Sequence, residues 1–333
     1  MNPYPLRIAL VRLTALGDII NGAIVLQLIK KHYPNAQIEW FCEAVFAPVL
    51  EGHPDLYEVH PVAIKKIKKE KDLSLLKTQL RSLKSAGPFD KIIDMQGLLK
   101  SAIVARLIGK EVHGFDKDSA REPIAAWLYK SSSNIPYTNN VITRNIDVVA
   151  DALGFEVTDA EILNKRPCFA SQKRPDFLAA GKPNIALVIG ASWPSKEYPK
   201  EKFAELCFAL EEAQCILIWG SPKEHEHAQF IAERASNVTV APRLSLQELI
   251  ATIEHCDLTI GNDTGPTHLA WAMNRPSITL FGPTNTRMIY QTPVNLACES
   301  DSNVDITKID KQDFSIKEIS VESIVSKAKA LLD

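Results

Sequence analysis

Residues 258–268, Leu-Thr-Ile-Gly-Asn-Asp-Thr-Gly-Pro-Thr-His, join a short apolar segment to the start of a helix, and this junction decides the fold. The segment 258–261 is apolar and partly β-branched, which favours a buried strand. Pro266 suits the first turn of a helix, because that position needs no backbone N–H donor. A buried strand that leads directly into a helix is typical of a parallel sheet covered by helices.

The same alternation recurs along the chain and indicates two α/β units. Strands are predicted at residues 7–12, 37–42, 59–64, 91–94, 184–189, 215–219, 238–241, 258–261 and 277–281. Helices are predicted at residues 19–32, 97–108, 199–212, 245–254 (with Ser245 as the N-cap) and 266–273. A polar, irregular stretch at residues 164–183 separates the halves, and we expect ligands at the carboxyl ends of the strands in a cleft between them.

Bulk composition excludes several classes of protein. The 333 residues carry a net charge of −2, which argues against bulk nucleic-acid binding. The six cysteines form no Cys-x-x-Cys pair, so buried free thiols are expected rather than a zinc site or disulfides. Residues 1–7 lack a targeting signal, and no run reaches the roughly 18 apolar residues of a membrane span. We therefore expect a cytoplasmic protein, with a role at a membrane surface left open.

The helix start at residues 263–265 is the first candidate site. Free N–H groups at such a start bind phosphate, Gly265 permits close approach, and the hydroxyls of Thr264 and Thr267 add donors. The alternative is that Asp263 and Thr264 only cap the helix. A second strand-to-helix turn carries Asp18, which is either another N-cap or a carboxylate that takes a proton from an incoming hydroxyl.

Two further loops follow predicted strands of the second half. Lys196 is placed to meet a diphosphate and to stabilise its departing charge. Glu224 is placed to accept hydrogen bonds from sugar or ribose hydroxyls. His225 and His227 resemble a metal pair, but side chains two residues apart diverge on a helix, so a metal site there is not expected.

The segment 65–71, Lys-Lys-Ile-Lys-Lys-Glu-Lys, is a concentrated basic cluster. Such a run is usually a solvated face, but it also attracts an anionic or membrane-bound partner. Arg121 is either a further anion contact or half of an ion pair with Glu122.

Together these segments resemble glycosyltransferase family 9. The resemblance rests on residues 13–18, 94–101, 113–116, 120–123, 219–222, 263–268 and 281–284, which span nearly the whole chain. It implies a GT-B fold, in which two Rossmann-like domains with parallel sheets face a central cleft. Residues 1–170 would bind the acceptor and residues 171–333 the donor.

Within the family, the segments resemble the enzymes that act on Kdo2-lipid A, which implies an inverting, metal-independent transfer from ADP-L-glycero-D-manno-heptose. The donor would be a substrate, so no cofactor is implied, and the site of action would be the cytoplasmic face of the inner membrane. By position, Asp18 would be the base and Lys196 would assist the leaving group. The donor contacts would be Thr14, Gly17, Lys196, Glu224, Asp263, Thr264, Gly265 and His268. The acceptor contacts would be Lys65, Lys66, Lys68, Lys69 and Arg121.

Three alternatives stay open. A nucleotide-sugar epimerase or dehydrogenase would need a G-x-G-x-x-G turn, which the segment 13–18 lacks. A family 9 enzyme of the heptosyltransferase II or III type would act on an already heptosylated core. A non-catalytic module would bind anionic lipid and keep that binding without Asp18.

Overall fold

The computed structural model describes residues 5–333. Residues 1–4 lie outside the described residues, and they are part of the segment 1–7 in which no targeting signal is predicted. The chain divides into two compact units between Lys165 and Arg166. The sequence places the boundary between residues 170 and 171. Each unit contains a parallel six-stranded sheet covered by helices, as predicted.

In the first unit the spatial strand order is β3-β2-β1-β4-β5-β6, and all pairs are parallel. The strands are β1 Arg7–Val11, β2 Gln37–Glu43, β3 Glu58–Val62, β4 Lys91–Asp94, β5 Val112–Phe115 and β6 Ser131–Ser133. The residues of β1 from Ile8 to Val11 are fully buried, since this strand lies in the middle of the sheet. The order reverses between β1 and β4, and ligands bind at such a reversal in open α/β sheets.

The helices of this unit are α1 Leu16–Gly22, α2 Ile24–His32, α3 Ile64–Glu70, α4 Leu73–Ser85, α5 Leu99–Ile108, α6 Val141–Leu153 and α7 Asp159–Leu163, with a 3-10 helix at Pro123–Leu128. The single helix predicted at 19–32 is wrong, because the chain forms two helices that break at Ala23. Gly22 weakens the helix there, and a Cβ at Gly22 would lie only 3.0 Å from Met95 Cε and 3.2 Å from Trp40.

The second unit repeats the same topology. Its spatial order is β12-β11-β10-β7-β8-β9, so the reversal falls between β7 and β10. The strands are β7 Asn184–Val188, β8 Gln214–Ile218, β9 Val238–Val240, β10 Leu258–Asn262, β11 Ser277–Phe281 and β12 Asn295–Glu299. Each adjacent pair is parallel.

The helices of the second unit are α8 Lys200–Ala209, α9 Pro222–Ala232, α10 Leu246–Glu254, α11 Gly265–Ala272 and α12 Val321–Leu332. The predicted N-cap Ser245 is confirmed: its hydroxyl accepts from Glu248 N, and the Glu248 carboxylate accepts from Ser245 N at 2.8 Å. All six cysteines are buried free thiols, as predicted. Within residues 5–333, every helix is too short or too polar to cross a bilayer.

Candidate functional site

The loops after β1 and β4 are joined at the reversal of the first sheet. Gln96 Oε1 accepts from Leu13 N at 2.7 Å and from Thr14 N at 3.3 Å, and Gln96 Nε2 donates to Thr14 Oγ1 at 3.1 Å. The loop that precedes α1 is therefore fixed by the neighbouring strand connection. This loop carries Thr14, and Gly17 follows in the first turn of α1; the family resemblance places both at the donor.

Asp18 is the third residue of α1 rather than its N-cap, which is Ala15, so the predicted N-cap position is wrong; its carboxylate nevertheless helps to cap the helix by accepting from the N-cap backbone. Its Oδ2 accepts from Ala15 N at 2.9 Å, and its Oδ1 lies 2.9 Å from Arg12 Nη2. The side chain is still 26% exposed, so Asp18 is accessible from solvent. Arg12 is itself buried and donates to the Met95 carbonyl, which holds the guanidinium beside Asp18.

Lys100 is a polar residue at this site that sequence reasoning missed. Its ammonium donates to Thr14 Oγ1 at 2.8 Å. Burial lowers the pKa of Lys100, and the neighbouring cations Lys65 and Arg121 lower it further, whereas Glu43 opposes the shift. The only signal in the sequence was its place in the segment 94–101, which carries the family resemblance.

A buried carboxylate, Asp94, shapes the turn between β4 and α5. It accepts from Gln96 N, from the Ser101 hydroxyl and from the Tyr129 hydroxyl, each at 2.8 Å. Burial raises the pKa of Asp94, and these hydrogen bonds oppose that rise. Gly97 follows with φ of +67°, a conformation that favours glycine. The turn that presents Gln96 and Lys100 is thus held from the core.

The basic cluster forms α3 and lies after β3, at the same carboxyl edge of the sheet. Lys65, Lys66, Lys68 and Lys69 are all exposed. The backbone N of Lys65 donates to the buried Glu43 carboxylate at 3.1 Å, and its ammonium lies 5.0 Å from the centre of the Phe46 ring. The cluster is therefore an exposed helical face anchored at its first turn.

Arg121 is exposed and lies in the loop before the 3-10 helix Pro123–Leu128. Among the residues that the structure describes, Arg121 forms no ion pair with Glu122, so that alternative is wrong. The Glu122 carboxylate accepts instead from Leu99 N at 2.7 Å, which ties this loop to the start of α5. Arg121 therefore remains available to an anion.

In the second unit, Asp263 organises a buried polar cluster directly after β10. Its Oδ2 lies 2.5 Å from Lys196 Nζ and accepts from Thr284 Oγ1 at 2.8 Å, while its Oδ1 lies 3.1 Å from His268 Nε2. Burial raises the pKa of Asp263, but the Lys196 ammonium and the hydrogen bond from His268 outweigh it, so the pKa lies well below its usual range. The structure thus brings together three residues predicted for the donor site.

The alternative in which the side chains of Asp263 and Thr264 cap this helix is wrong. Thr264 is the N-cap of α11 but makes no side-chain cap hydrogen bond, and the Asp263 side chain turns towards Lys196. The prediction that Thr267 adds a free donor is also wrong, since its buried hydroxyl donates to Asn262 O at 2.7 Å. The N–H groups that open the helix at Thr264 and Gly265 remain to meet an anion.

Asn262 fixes the loop that carries Lys196 and was not singled out from the sequence. Its Nδ2 donates to Ile189 O at 2.9 Å, and its Oδ1 accepts from Tyr198 N at 3.0 Å. Trp193 in this loop places its ring 5.0 Å from the Lys196 ammonium, and its buried indole N–H has no partner among the described residues. The nitrogen Nδ1 of His268 is likewise buried without a described partner. These are two unused polar atoms around the Lys196–Asp263 pair.

Glu224 lies in the first turn of α9, after β8. Its Oε2 accepts from Gly220 N at 2.7 Å. A Cβ at Gly190 would lie 2.3 Å from Glu224 Cδ, so the carboxylate fits only against a glycine at that position. The loop after β7 and the start of α9 thereby fix where Glu224 stands.

Potential metal ligands gather at one place in the described part of the chain, and it includes neither His225 nor His227. The group consists of Glu39, Glu58 and His60. Both oxygens of Glu39 already accept hydrogen bonds, from Arg7 Nη2 at 2.6 Å and from His60 Nε2 at 2.7 Å. The site residues above are therefore separate from this group.

Comparison with known proteins identifies the family of this chain. Residues 77–313 match the family glycosyltransferase family 9 (heptosyltransferase). The chain is 36% identical to lipopolysaccharide heptosyltransferase 1 of Campylobacter coli, over 98% of this chain and 99% of that protein. It is 28% identical to the protein of the same name from Escherichia coli K12, over 85% of this chain and 90% of that protein.

Solved structures show the same fold. The E. coli heptosyltransferase WaaC with ADP superimposes with a TM-score of 0.81, at 24% identity, over 98% of this chain and 100% of that one. A family 9 glycosyltransferase from Veillonella parvula gives a TM-score of 0.78, at 20% identity, over 100% of this chain and 98% of that one. The two Rossmann-like halves expected of a GT-B fold are confirmed. The chain therefore belongs to glycosyltransferase family 9, the heptosyltransferases.

Proposed function

We propose that this enzyme transfers L-glycero-D-manno-heptose from ADP-heptose to Kdo2-lipid A in the assembly of the lipopolysaccharide inner core. The observation that carries the proposal is the Lys196–Asp263–His268 cluster beside the start of α11. The match to proteins named lipopolysaccharide heptosyltransferase 1 supports the choice of reaction. A related E. coli enzyme, solved with ADP-2-deoxy-2-fluoro heptose, supports the choice of donor.

The acceptor half of the reaction falls to the first unit. Asp18 takes the proton from an acceptor hydroxyl, whose oxygen then forms the bond to the anomeric carbon from the face opposite ADP. Arg12 and Ala15 N hold the carboxylate so that it meets the hydroxyl. Attack from the opposite face inverts the anomeric centre, and one catalytic carboxylate suffices.

The donor half falls to the second unit. The bond between the anomeric carbon and the diphosphate oxygen breaks, and ADP leaves with the electron pair. An ammonium has three N–H donors, and Asp263 takes one of those of Lys196, which leaves two for the diphosphate. The positive end of α11 at Thr264 and Gly265 adds to this stabilisation. Glu224 binds donor hydroxyls, and Thr14 and Gly17 are assigned to the donor as well.

No metal ion is needed in this scheme, because Lys196 and the start of α11 supply the charge at the diphosphate. ADP-heptose enters as a substrate, and the reaction uses no cofactor. The acceptor's phosphates and carboxylates meet Lys65, Lys66, Lys68, Lys69 and Arg121. We place the enzyme in the cytoplasm, peripherally bound to the inner membrane where this acceptor is embedded. A chelator added to the assay should leave the rate unchanged, and loss of activity would reject the metal-free scheme.

Mass spectrometry of the product tests the proposal directly. The purified protein is incubated with ADP-heptose and either Kdo2-lipid A or a heptosylated core. We expect Kdo2-lipid A to gain one heptose. A product from the heptosylated core alone would instead identify an enzyme of the heptosyltransferase II or III type. If neither acceptor reacts while anionic lipid still binds, the protein is a non-catalytic lipid-binding module.

A further inference from the structure

Several large apolar side chains of the first unit are exposed to solvent, and four of them lie on α5 and on the 3-10 helix Pro123–Leu128. Trp127 is 85% exposed, Ile124 56%, Ile103 46% and Leu99 36%. Isolated exposed apolar residues are common, but a contiguous group rimmed by polar residues marks an interaction site. We name these four residues the apolar patch.

The four side chains lie on two helices that pack against each other. Ile124 and Trp127 are three residues apart in the 3-10 helix Pro123–Leu128, where such side chains are aligned. Leu99 and Ile103 are four residues apart in α5 and share one face of that helix. The two helices pack against each other, and the hydrogen bond from Leu99 N to Glu122 joins their first turns.

Basic side chains border the apolar patch. Arg121 is exposed and immediately precedes the 3-10 helix. Lys100, next to Leu99, lies close enough to Arg121 and to Lys65 for both to affect its pKa. Since Lys65 lies in the first turn of α3, positive charge continues from the patch into the exposed lysines of that helix. The acid nearest the patch in sequence, Glu122, is engaged by Leu99 N.

We propose that the apolar patch inserts into the headgroup region of an anionic lipid bilayer, while Arg121 and the lysines of α3 bind its headgroups. Exposed Trp residues settle at this depth of a membrane, and apolar side chains beside cations are the pattern of interfacial binding. Each basic residue near an anionic surface adds roughly 1 kcal/mol. A protein partner fits less well, because lysine is depleted from protein–protein interfaces.

This inference rests on the proposed function, since an acceptor embedded in a bilayer requires the enzyme to work at that surface. Asp18 lies after β1 and α5 lies after β4, and these strands are neighbours in the sheet. Leu99 and Ile103 of the apolar patch therefore belong to the helix that follows the strand beside the proposed base, and Ile124 and Trp127 lie on the 3-10 helix that packs against it.

Vesicle binding by the full chain tests the proposal without any sugar substrate. The variant Ile124→Ser/Trp127→Ser is compared with the wild type on phosphatidylglycerol and on phosphatidylcholine vesicles. We expect the variant to bind phosphatidylglycerol vesicles about tenfold more weakly, which corresponds to about 1.4 kcal/mol. The matched control is Phe208→Ser, because Phe208 is 70% exposed on α8 of the second unit. It should bind like the wild type.

Depth-dependent quenching gives a second readout. Trp127 is one of five tryptophans, so the signal is the difference between the wild type and Trp127→Phe. Lipids brominated near the headgroup should quench the wild type more than Trp127→Phe. Equal quenching, or equal vesicle affinity of the double variant, would overturn the proposal. The proposal would also be overturned if the double variant kept its vesicle binding but changed its oligomeric state, because the patch would then join two copies of the chain.

The outcomes separate this surface from the reaction. On a deacylated acceptor that needs no membrane, the double variant should turn over like the wild type. If vesicle binding depends on Trp127 but no heptose is transferred, the proposed function is rejected and the membrane-binding role of the apolar patch is retained. If heptose is transferred but vesicle binding does not depend on Trp127, the membrane-binding role of the apolar patch is rejected and the proposed function is retained.

Discussion

Lys196 and Asp263 form a buried ion pair, with Nζ 2.5 Å from Oδ2 and side chains only 8% and 2% exposed. The pair lies at the reversal of the second sheet, since Lys196 follows β7 and Asp263 follows β10. Two buried charges tolerate each other only when both are paired. Asp263 therefore positions the ammonium that we assign to the diphosphate, and the pair couples donor binding to the stability of this unit.

Replacing Lys196 with Met should destabilise the protein strongly. The variant leaves the Asp263 carboxylate buried without its ammonium, which typically reduces the free energy of unfolding by about 3–5 kcal/mol. Urea-induced unfolding measures this loss, and calorimetric titration should show weaker ADP binding. Lys223→Met is the matched control, because Lys223 pairs with Glu197 at 2.9 Å while 56% exposed. That change should reduce the unfolding free energy by less than about 1 kcal/mol, and equal losses in the two variants would contradict the interpretation.

The contribution of Asp263 to stability should depend on pH. Its pKa in the folded state lies below the ordinary value, because Lys196 and His268 outweigh the effect of burial. A carboxyl group whose pKa is lower in the folded state stabilises the fold at pH values above its unfolded-state pKa of about 3.9. This contribution is lost as the pH falls from that value towards the folded-state pKa. The difference in unfolding free energy between the wild type and Asp263→Asn should thus be large near neutral pH and narrow below about pH 4. A pH-independent difference would show that the charge of Asp263 is not what stabilises the fold.

The position of Glu224 should be sensitive to a single methyl group on the opposite loop. In Gly190→Ala, the new Cβ would lie 2.3 Å from Glu224 Cδ and must displace the carboxylate from Gly220 N. Because the displaced group is the end of a flexible side chain, stability should change little. The Michaelis constant for ADP-heptose should rise about tenfold, since a misplaced donor contact typically costs on the order of 1 kcal/mol.

Gly220→Ala provides the control for this experiment. Its Cβ would stand 3.6 Å from Glu224 Oε2, an ordinary contact, and its backbone N–H would still bind the carboxylate. The donor Michaelis constant should stay near the wild-type value. In a Glu224→Ala background, Gly190→Ala should have no additional effect on that constant, and an additive effect would place the role of Gly190 elsewhere.

The alternation of apolar segments and helix starts predicted both parallel sheets, because buried parallel strands are short and continuously apolar. It did not predict β5 or the edge strands β6 and β12, and the residues of β6 are three serines with no apolar pattern. The site was predicted as a set of loops at strand ends, which the sheet order then brings together. The hydrogen bonds and ion pairs between these loops were not predictable from local sequence.

The capping alternatives show why. Asp and Thr before a helix favour a cap in any local comparison, yet the Asp263 side chain is taken by Lys196, 67 residues away in the sequence. Asp18 is likewise held by Arg12, which reads locally as the residue that ends a strand. In each case an ion pair of the folded chain, buried for Asp263 and partly exposed for Asp18, engages the carboxylate, and no local propensity contains that information.

Asp18→Asn should separate the proposed base from its structural contacts. The amide oxygen of Asn can still accept from Ala15 N, so the start of α1 should remain. Turnover of Kdo2-lipid A should fall by about 10²–10⁴, the usual loss for a general base. ADP affinity, measured by calorimetric titration, should stay within about twofold because the donor contacts of the second unit are untouched. Full turnover in this variant would reject Asp18 as the base.

Neutralising part of the lysine cluster should weaken acceptor binding and leave the donor unaffected. In Lys68→Gln/Lys69→Gln, two exposed cations of α3 are removed, each worth roughly 1 kcal/mol near an anionic partner, so the Michaelis constant for Kdo2-lipid A should rise at least about tenfold. The constant for ADP-heptose should not change. Because the pair acts through exposed charge, the effect should shrink in about 1 M salt, where the screening length is about 3 Å.

Two further variants sharpen the test of the lysine cluster. Lys84→Gln removes an exposed lysine in the last turn of α4 and should leave the acceptor constant unchanged. Lys68→Arg/Lys69→Arg keeps the charge and adds the planar fork that binds phosphate with two hydrogen bonds, so acceptor binding should tighten. If the Gln and Arg variants both have the wild-type Michaelis constant for Kdo2-lipid A, α3 does not contact the acceptor. Arg121 and Lys100 would then be the residues that bind its anionic groups.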